Sequence, residues 1–421
     1  MARPELSYII GPMAAFPIDR VRAEFPSLQE QFIFFDNAAG AQSPRGVLNA
    51  VADHLLHRNV QRGGRYRHSQ EVDETIARAR ESVALLVNAR HPEEISFGMN
   101  GTSFMRLISI AIGQSLRDRR EIIVTDLDHE ANVAVWLALA REGAKILWWH
   151  FREDGRLHAE DLEKILSPRT RIVACSLASN AIGSILDVSD VCRRAHAAGA
   201  EVFIDAVHYG PHGLLDVQAF DCDYLVCSGY KIFSPHMGFL WGRREILNAL
   251  PTFREDFVPD TTPAKLEVGT YVYENVAGMD AAIKYLEALG RMVSPAATSR
   301  RAALVAAMES IRDYEAVLSH AMLDALACVK ATVYGLTSQD GISRRAPTLC
   351  FNLPGFSPAK VTEALAERNI GVRDGHMYSP RLMQRLGLAK ESGAVRASLV
   401  HYNTIEEVEQ FRGALRAIVR G

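Results

Sequence analysis

From about Glu94 onward the chain alternates short apolar runs with amphipathic ones, and few folds accept that rhythm other than a mostly parallel sheet with helices against its faces. Strands are expected at Ile95–Gly98, Glu121–Thr125, Lys145–Trp149, Arg171–Cys175, Glu201–Asp205, Tyr224–Cys227 and Met237–Trp241. Helices are expected between them at Thr102–Leu116, Glu130–Arg141, Ala159–Leu166 and Ser189–Ala198. The last two strands are joined too tightly to enclose a helix, so one of them should run antiparallel. A stretch rich in proline, threonine and charge, 251–265, marks the edge of this large unit. Beyond it Asn275–Leu289 and the alanine-rich Ser299–Leu326 read as helices, and 331–419 alternates strand and helix signals. The expected divisions are an arm at 1–30 packing with the small domain, a large ligand-binding domain at 31–265, a connecting helical region at 266–295 and a small C-terminal α/β domain at 296–421.

With 421 residues, 48% of them hydrophobic, the chain can bury a sizeable core. A formal net charge of −3 gives no global field that would draw it onto nucleic acid or an anionic membrane, and neither is expected as a partner. The six cysteines are scattered with no C-x-x-C pair and read as reduced core residues of a cytoplasmic protein. The apolar stretch from Tyr8 to Phe16 is broken by Gly11 and Pro12, is too short to span a membrane and lacks a signal-peptide pattern; a docking arm is the plainer reading.

Several strand ends carry polar residues with chemical potential. The strand Glu201–Asp205 runs straight into a carboxylate, at the sheet edge where open α/β folds bind ligands. Another strand ends in Cys227-Ser228-Gly229-Tyr230-Lys231. A lysine and an aspartate at neighbouring strand ends are what pyridoxal phosphate (PLP) requires. The lysine forms an imine, and the aspartate keeps the pyridine nitrogen protonated so that the ring accepts electrons from a substrate α carbon. Gly101-Thr102-Ser103 follows a strand and opens a helix, where N–H groups and hydroxyls can hold a phosphate. His129 lies just past a further strand, and an imidazole there can stack on a flat ring and relay protons. A zinc site of the His-Glu-x-x-His type would need histidine at 133, where Val133 stands, so no metal is expected. Arg396 opens an apolar strand and can take a substrate carboxylate in a bidentate fork. Taken singly, Asp205 reads as a loop cap, Lys231 as a solvated lysine, Thr102 and Ser103 as ordinary N-cap residues, and Arg396 as an edge-strand arginine. Their conjunction favours the cofactor.

Together these residues resemble the fold-type I PLP enzymes of the class V aminotransferase group, and specifically the cysteine desulfurase-like proteins. The match runs from Phe35-Asp-Asn-Ala-Ala-Gly40 through Ser228-Gly-Tyr-Lys231 to the segment Arg396 to Thr404. The resemblance implies a PLP-dependent transferase fold of type I, with a mostly parallel seven-stranded sheet in the large domain plus a smaller C-terminal α/β domain. It implies Lys231 as the Schiff-base lysine, Asp205 as partner of the pyridine nitrogen, His129 as the stacking base and Asn180 as the residue bonding the phenolic oxygen. Gly101, Thr102, Ser103 and Ser228 match phosphate contacts. Thr270 matches a threonine that reaches the phosphate of the other subunit, which implies a homodimer with active sites at the interface. Arg396 matches the arginine that receives the carboxylate of a small amino-acid substrate, with Arg373, Asn37 and Tyr378 beside it.

Three positions depart from the desulfurase pattern. His208 stands where glutamine is usual near the phenolic oxygen, and Tyr230 where histidine precedes the lysine. In the loop 372–380, Tyr378 stands where the sulfur-accepting cysteine belongs, and no cysteine occurs after Cys350. A protein persulfide needs a thiolate that reaches the substrate sulfur. The expectation is therefore an enzyme that joins a small amino acid to PLP as an imine and carries out lyase-type or carbon–carbon bond-forming, decarboxylative aldol-like chemistry. Aminotransferase, epimerase and a non-catalytic PLP-binding partner protein stand as alternatives.

Overall fold

The computed structural model describes residues 16–389 and 392–420. All but the last residue of the expected docking arm, Tyr8 to Phe16, falls outside the described residues. Thirteen strands are described: β1 (Ile33–Phe34), β2 (Ile95–Gly98), β3 (Glu121–Thr125), β4 (Lys145–Trp149), β5 (Thr170–Ser176), β6 (Glu201–Asp205), β7 (Tyr224–Ser228), β8 (Gly238–Gly242), β9 (Thr332–Tyr334), β10 (Thr348–Asn352), β11 (Ile370–Gly371), β12 (Arg373–Gly375) and β13 (Ala394–Ser398).

Strands β2 to β8 form one seven-stranded sheet in the order β2-β8-β7-β6-β5-β3-β4. The neighbours β4, β3, β5, β6 and β7 are parallel, and β8 runs antiparallel to both β7 and β2, as the tight connection required. The central strands are apolar on both faces: Ile122, Ile123 and Val124 in β3 and Val202, Phe203 and Ile204 in β6 are all buried. Helices cover both sides of such a sheet, so no polar alternation survives along its strands.

The expected helices appear with shifted ends. Gly101–Gly113 starts on Asn100, whose side chain accepts the Ser103 N–H at 2.9 Å. The run expected at Glu130–Arg141 is a helix at Ala131–Leu137 that tightens into 3-10 geometry over Ala138–Glu142 and stops at Gly143, whose φ is 87°. Two long helices, Arg45–His57 and Arg67–Val87, precede Glu94 and pack beside Tyr273–Val293. No element had been expected there. None of the described helices is long and apolar enough to cross a membrane.

The C-terminal unit is a four-stranded antiparallel sheet, β12-β13-β10-β9, backed by the helices Arg300–Ala327, Pro358–Ala366 and Ile405–Arg420. The expected boundary at 31 requires correction here. β1 pairs in parallel with β11, Ile33 opposite Ile370 and Phe34 opposite Gly371, and Ile33 and Phe35 belong to the core of the small unit. The Phe35 ring meets that of Phe411 edge-on at 5.7 Å. Local periodicity cannot register a two-residue strand whose partner is more than 300 residues away. The preceding segment also docks onto this side of the molecule, through Arg22 to Glu407 at 2.8 Å and the stacked rings of Phe16 and Tyr314 at 4.4 Å.

Replacing Phe35 by alanine should lower the stability by about 3–5 kcal/mol, the usual result of emptying a buried aromatic site. Urea unfolding checks this, and a loss below about 1 kcal/mol would mean that 33–35 does not anchor the small unit.

Candidate active site

A cavity of about 310 Å³ opens at the C-terminal ends of the parallel strands and at the face of β13, within the range of small-ligand sites. Lys231, Asp205, His129 and Arg396 all line it.

Lys231 is carried inward because β7 ends at Ser228 and the chain turns through one 3-10 turn, Gly229–Lys231. A side chain at Gly229 would press on Met237 Sδ at 2.9 Å and on the Pro235 carbonyl at 3.0 Å, so the tight turn needs glycine. The lysine is 8% exposed and its Nζ donates to the Ala38 carbonyl. Burial first, and then the Arg396 charge, bring its pKa down to about 7. Asp205 ends the adjacent strand β6, opposite Val226 of β7. Its Oδ1 accepts the Val207 N–H at 2.9 Å, and burial raises its pKa to about 6.

His129 is held by its own backbone turn: Nδ1 accepts the Ala131 N–H at 3.0 Å, so the proton of the neutral ring sits on Nε2. Burial, then Lys231 and Arg396, lower its pKa to about 4 and keep the ring neutral at physiological pH. The residue before it, Asp128, was missed by the sequence reading. It accepts from Thr125 Oγ1 and Asn132 Nδ2, both at 2.7 Å, and from the Ser176 N–H at 3.1 Å. It thereby clamps the ends of β3 and β5 to the turn that carries His129. Burial raises its carboxyl to about 7. Its signal was a carboxylate three residues past the end of an apolar strand, a looser form of the cue that singled out Asp205.

Arg396 in β13 lies opposite Arg373 in β12. Both bind one carboxylate: Asp36 Oδ1 accepts Arg396 Nη2 at 2.9 Å, and Asp36 Oδ2 accepts Arg373 Nε at 2.9 Å and faces its Nη2 at 2.8 Å. Arg396 Nη1 donates to the Asn180 carbonyl at 2.9 Å, while its buried Nε has no partner. Asp36 was not singled out from the sequence, although it stands in the quoted Phe35 to Gly40 motif.

Other expected residues have different employments. The Asn37 amide is spent inside the protein, donating to the Phe34 and Ser398 carbonyls and to Asn403 Oδ1 and accepting from Tyr402; it does not line the cavity, and its expected place beside the substrate is corrected. Asn180 lines the cavity, but its amide donates to the Met377 carbonyl at 2.7 Å and accepts from Ser379 at 3.0 Å, tying down the loop that carries Tyr378. Ser103 is spent on Asn100 and lies outside the lining. Thr102 and Ser228 do line it, and Ser228 Oγ accepts the Gly101 N–H at 3.0 Å. His208 lines it with Nε2 against Thr348 Oγ1 at 3.0 Å; burial holds its pKa well below the usual histidine range. Tyr230 stacks on His236 at 4.9 Å. Tyr378, 54% exposed, stands at the mouth with its ring 5.6 Å from that of His129. Thr270 is exposed, accepts from Gln61 at 2.9 Å and does not line the cavity of its own chain.

The donor set suits PLP. An amine with a lowered pKa and a buried carboxylate sit at neighbouring strand ends, and hydroxyls gather at the start of a 13-residue helix, where backbone N–H groups favour a phosphate.

The family described as aminotransferase class-V matches residues 33–411. The chain is 33% identical to a cysteine desulfurase of Synechococcus elongatus over 96% of its length, and spans 64% of that longer protein. It is 32% identical to a probable cysteine desulfurase of Synechocystis sp., covering 95% of each chain, and 32% identical to the aminotransferase-like protein FGM3 of Gibberella zeae, covering 96% of this chain and 99% of that one. Among solved structures, a cysteine desulfurase from Thermococcus onnurineus matches with a TM-score of 0.86 at 27% identity, over 98% of this chain and 100% of that one. The cysteine desulfurase CsdA of Escherichia coli matches with a TM-score of 0.83 at 27% identity, over 97% and 99%. The cavity at the strand ends, the fold that builds it and the match over most of the sequence lead to one assignment: the chain belongs to the class V aminotransferase family of PLP-dependent enzymes and is cysteine desulfurase-like.

Proposed function

We propose that this enzyme acts on a small amino acid by lyase-type or carbon–carbon bond-forming chemistry, of the decarboxylative aldol kind, and forms no persulfide on its own chain. The observation that carries the reading is that none of the six cysteines lines the cavity. Tyr378 occupies the mouth where the resemblance puts the sulfur-accepting cysteine. Cys350 is buried in β10, and burial pushes its thiol up to about 12, far from the thiolate that sulfur transfer needs. The one exposed cysteine, Cys328, caps the helix Arg300–Ala327 and is not part of the lining.

Bound at Lys231, PLP would supply an electron sink for bonds broken at the α carbon. The chain's own residues do the remaining tasks. Arg396 is buried and charged, and two of its five N–H donors are engaged by Asp36 and Asn180, which leaves donors for an α-carboxylate. Lys231, with a pKa of about 7, takes and returns a proton at neutral pH. His129 keeps Nε2–H for the cavity, and Asp205 waits in apolar surroundings for a cationic partner. Tyr378, Tyr230 and His129 wall the mouth against water. Exposed Thr270 is assigned to the phosphate of a second copy, which makes the active unit a homodimer; the free cysteines, five of them buried, support a cytoplasmic location.

The deciding experiment titrates the holoenzyme with each common amino acid, with and without an aldehyde acceptor, following the cofactor spectrum and identifying products by mass. Alanine release with a persulfide on the chain would sink the proposal, and amino-group exchange with a keto acid would make the enzyme a transaminase. Lys231→Ala should lose the absorbance of lysine-bound cofactor and the adduct trapped by borohydride; an unchanged spectrum would remove Lys231 from its role. Arg396→Ala should keep the cofactor and raise the amino-acid Kd by roughly 30-fold or more, the equivalent of about 2 kcal/mol for an unpaired carboxylate. Unchanged affinity would move the carboxylate elsewhere. The amine captures PLP only when neutral, so capture by apoenzyme should accelerate with rising pH up to about 7 and then level. A stopped-flow rate still climbing beyond pH 9, about two units higher, would refute the lowered pKa.

A further inference from the structure

We infer that the turn Asn37–Ala39 is the seat of the free Lys231 amine: the Ala38 carbonyl takes that amine whenever the lysine is released, and Asn37, Ser398 and Tyr402 are positioning residues that hold the carbonyl in place. The inference rests on the reading of Lys231 as the cofactor lysine and does not depend on which substrate bond is broken. Lys231 Nζ donates to the Ala38 carbonyl and lies 4.7 Å from the centre of the Tyr230 ring, whose face favours a cation. Ala38, Ala39, Tyr230 and Lys231 all line the cavity. Ala38 is buried, and a buried carbonyl needs a donor. The donor here is a side chain that must leave to do chemistry.

A 3-10 turn of three residues cannot hold a carbonyl in place by itself. The turn is fixed instead by Ser398, Tyr402 and Asn403, 360 or more positions further along the chain. Ser398 Oγ accepts the Ala38 N–H at 2.8 Å. Asn37, 4% exposed, directs its amide nitrogen at the Phe34 and Ser398 carbonyls, 2.7 and 3.0 Å away, and at Asn403 Oδ1, 3.0 Å away, while its Oδ1 accepts from the Tyr402 hydroxyl. The same Tyr402 oxygen accepts the Gln42 N–H at 3.0 Å, just past the turn. From the other side the Ala41 N–H donates to the Tyr230 carbonyl at 3.0 Å, which ties the turn to the residue before the lysine. Sewing the N-terminal segment to the small unit accounts for these bonds, but not for a carbonyl turned toward the amine. A neutral amine held by one N–H has its lone pair fixed in direction. That settles in advance the orientation of proton transfer at a substrate α carbon and of the lysine's return to the cofactor. Burial, which brings the lysine down to about 7, supplies the neutral form.

The test displaces the lysine in holoenzyme with methylamine, which has no carboxylate and so makes no use of Arg396. At a pH above the lysine's value of about 7, borohydride fixes the cofactor either on the chain or on methylamine, and the intact mass of the protein gives the fraction still on Lys231. A released amine that the Ala38 carbonyl stabilises is easier to displace. Ser398→Ala and Tyr402→Phe should therefore each raise the half-displacing methylamine concentration by about fivefold, the equivalent of one hydrogen bond of about 1 kcal/mol. Arg22→Met removes contacts with Glu407 and the Tyr402 carbonyl that hold the same N-terminal segment outside the turn, and should leave the midpoint within about twofold of wild type. Unchanged midpoints in folded Ser398→Ala and Tyr402→Phe overturn the inference and leave the cofactor role of Lys231 standing. An equal rise in Arg22→Met overturns it too, because loosening the segment would then suffice. No adduct trapped on wild type without methylamine overturns both the inference and the reading beneath it. Should one variant fail to fold, the other decides.

Discussion

The parallel run of β3, β5, β6 and β7 makes every one of these strands end at the same edge of the sheet. Each ends in or just before a polar group, and because the middles of the strands are apolar and buried, those groups gather at the edge. Asp128 follows β3, Ser176 ends β5, Asp205 ends β6 and Lys231 follows β7. Remove the common direction and the amine and the carboxylate no longer open onto one space. The surrounding burial then sets their chemistry: the same low-dielectric environment lowers the lysine and raises both aspartates.

The other wall of the cavity comes from the small unit, which is joined to the first by a shared apolar cluster that includes Tyr402 against Phe25 and by hydrogen bonds at the cavity itself. Arg396 reaches from β13 to the Asn180 carbonyl on the large unit and to Asp36 beside β1. The Tyr378 loop is fastened in the same way, its Met377 carbonyl to Asn180 and its Tyr378 carbonyl to the Glu130 N–H at 2.7 Å. Met377 and Tyr378 both hold left-handed backbone, φ 52° and 57°, a conformation costly for side chains of this size and sustained here by those carbonyl bonds. The mouth is thus framed by a short pinned turn.

The sheet was legible because its strands are largely apolar runs set apart by amphipathic helices; four of the seven expected strands have the observed bounds and the other three differ by one residue at one or both ends. The placement of Lys231, Asp205 and His129 on the cavity was legible for the same reason, since a polar residue at or within a few positions of the end of such a run lies at the sheet edge. What escaped lies where function depends on distant pairing. Asp36 looks like any acidic residue until β13 brings two arginines to it, and Asn37 looks available until Tyr402 and Asn403 consume its amide. Ser103 repeats the lesson at short range: a hydroxyl at a helix start serves ligand or cap equally well in a sequence, and here Asn100 claims it.

The pairing of β1 with β11 also bears on synthesis. The strands of the large sheet come from one contiguous stretch, residues 95 to 242, and can assemble while the ribosome is still at work on the rest. Ile33 and Phe35, made early, find their partners only when the segment around Ile370 and Phe411 has emerged. The stitch between β1 and β11 therefore joins segments made far apart in time, and Asp36, the next residue along, meets its two arginines only once β12 and β13 exist.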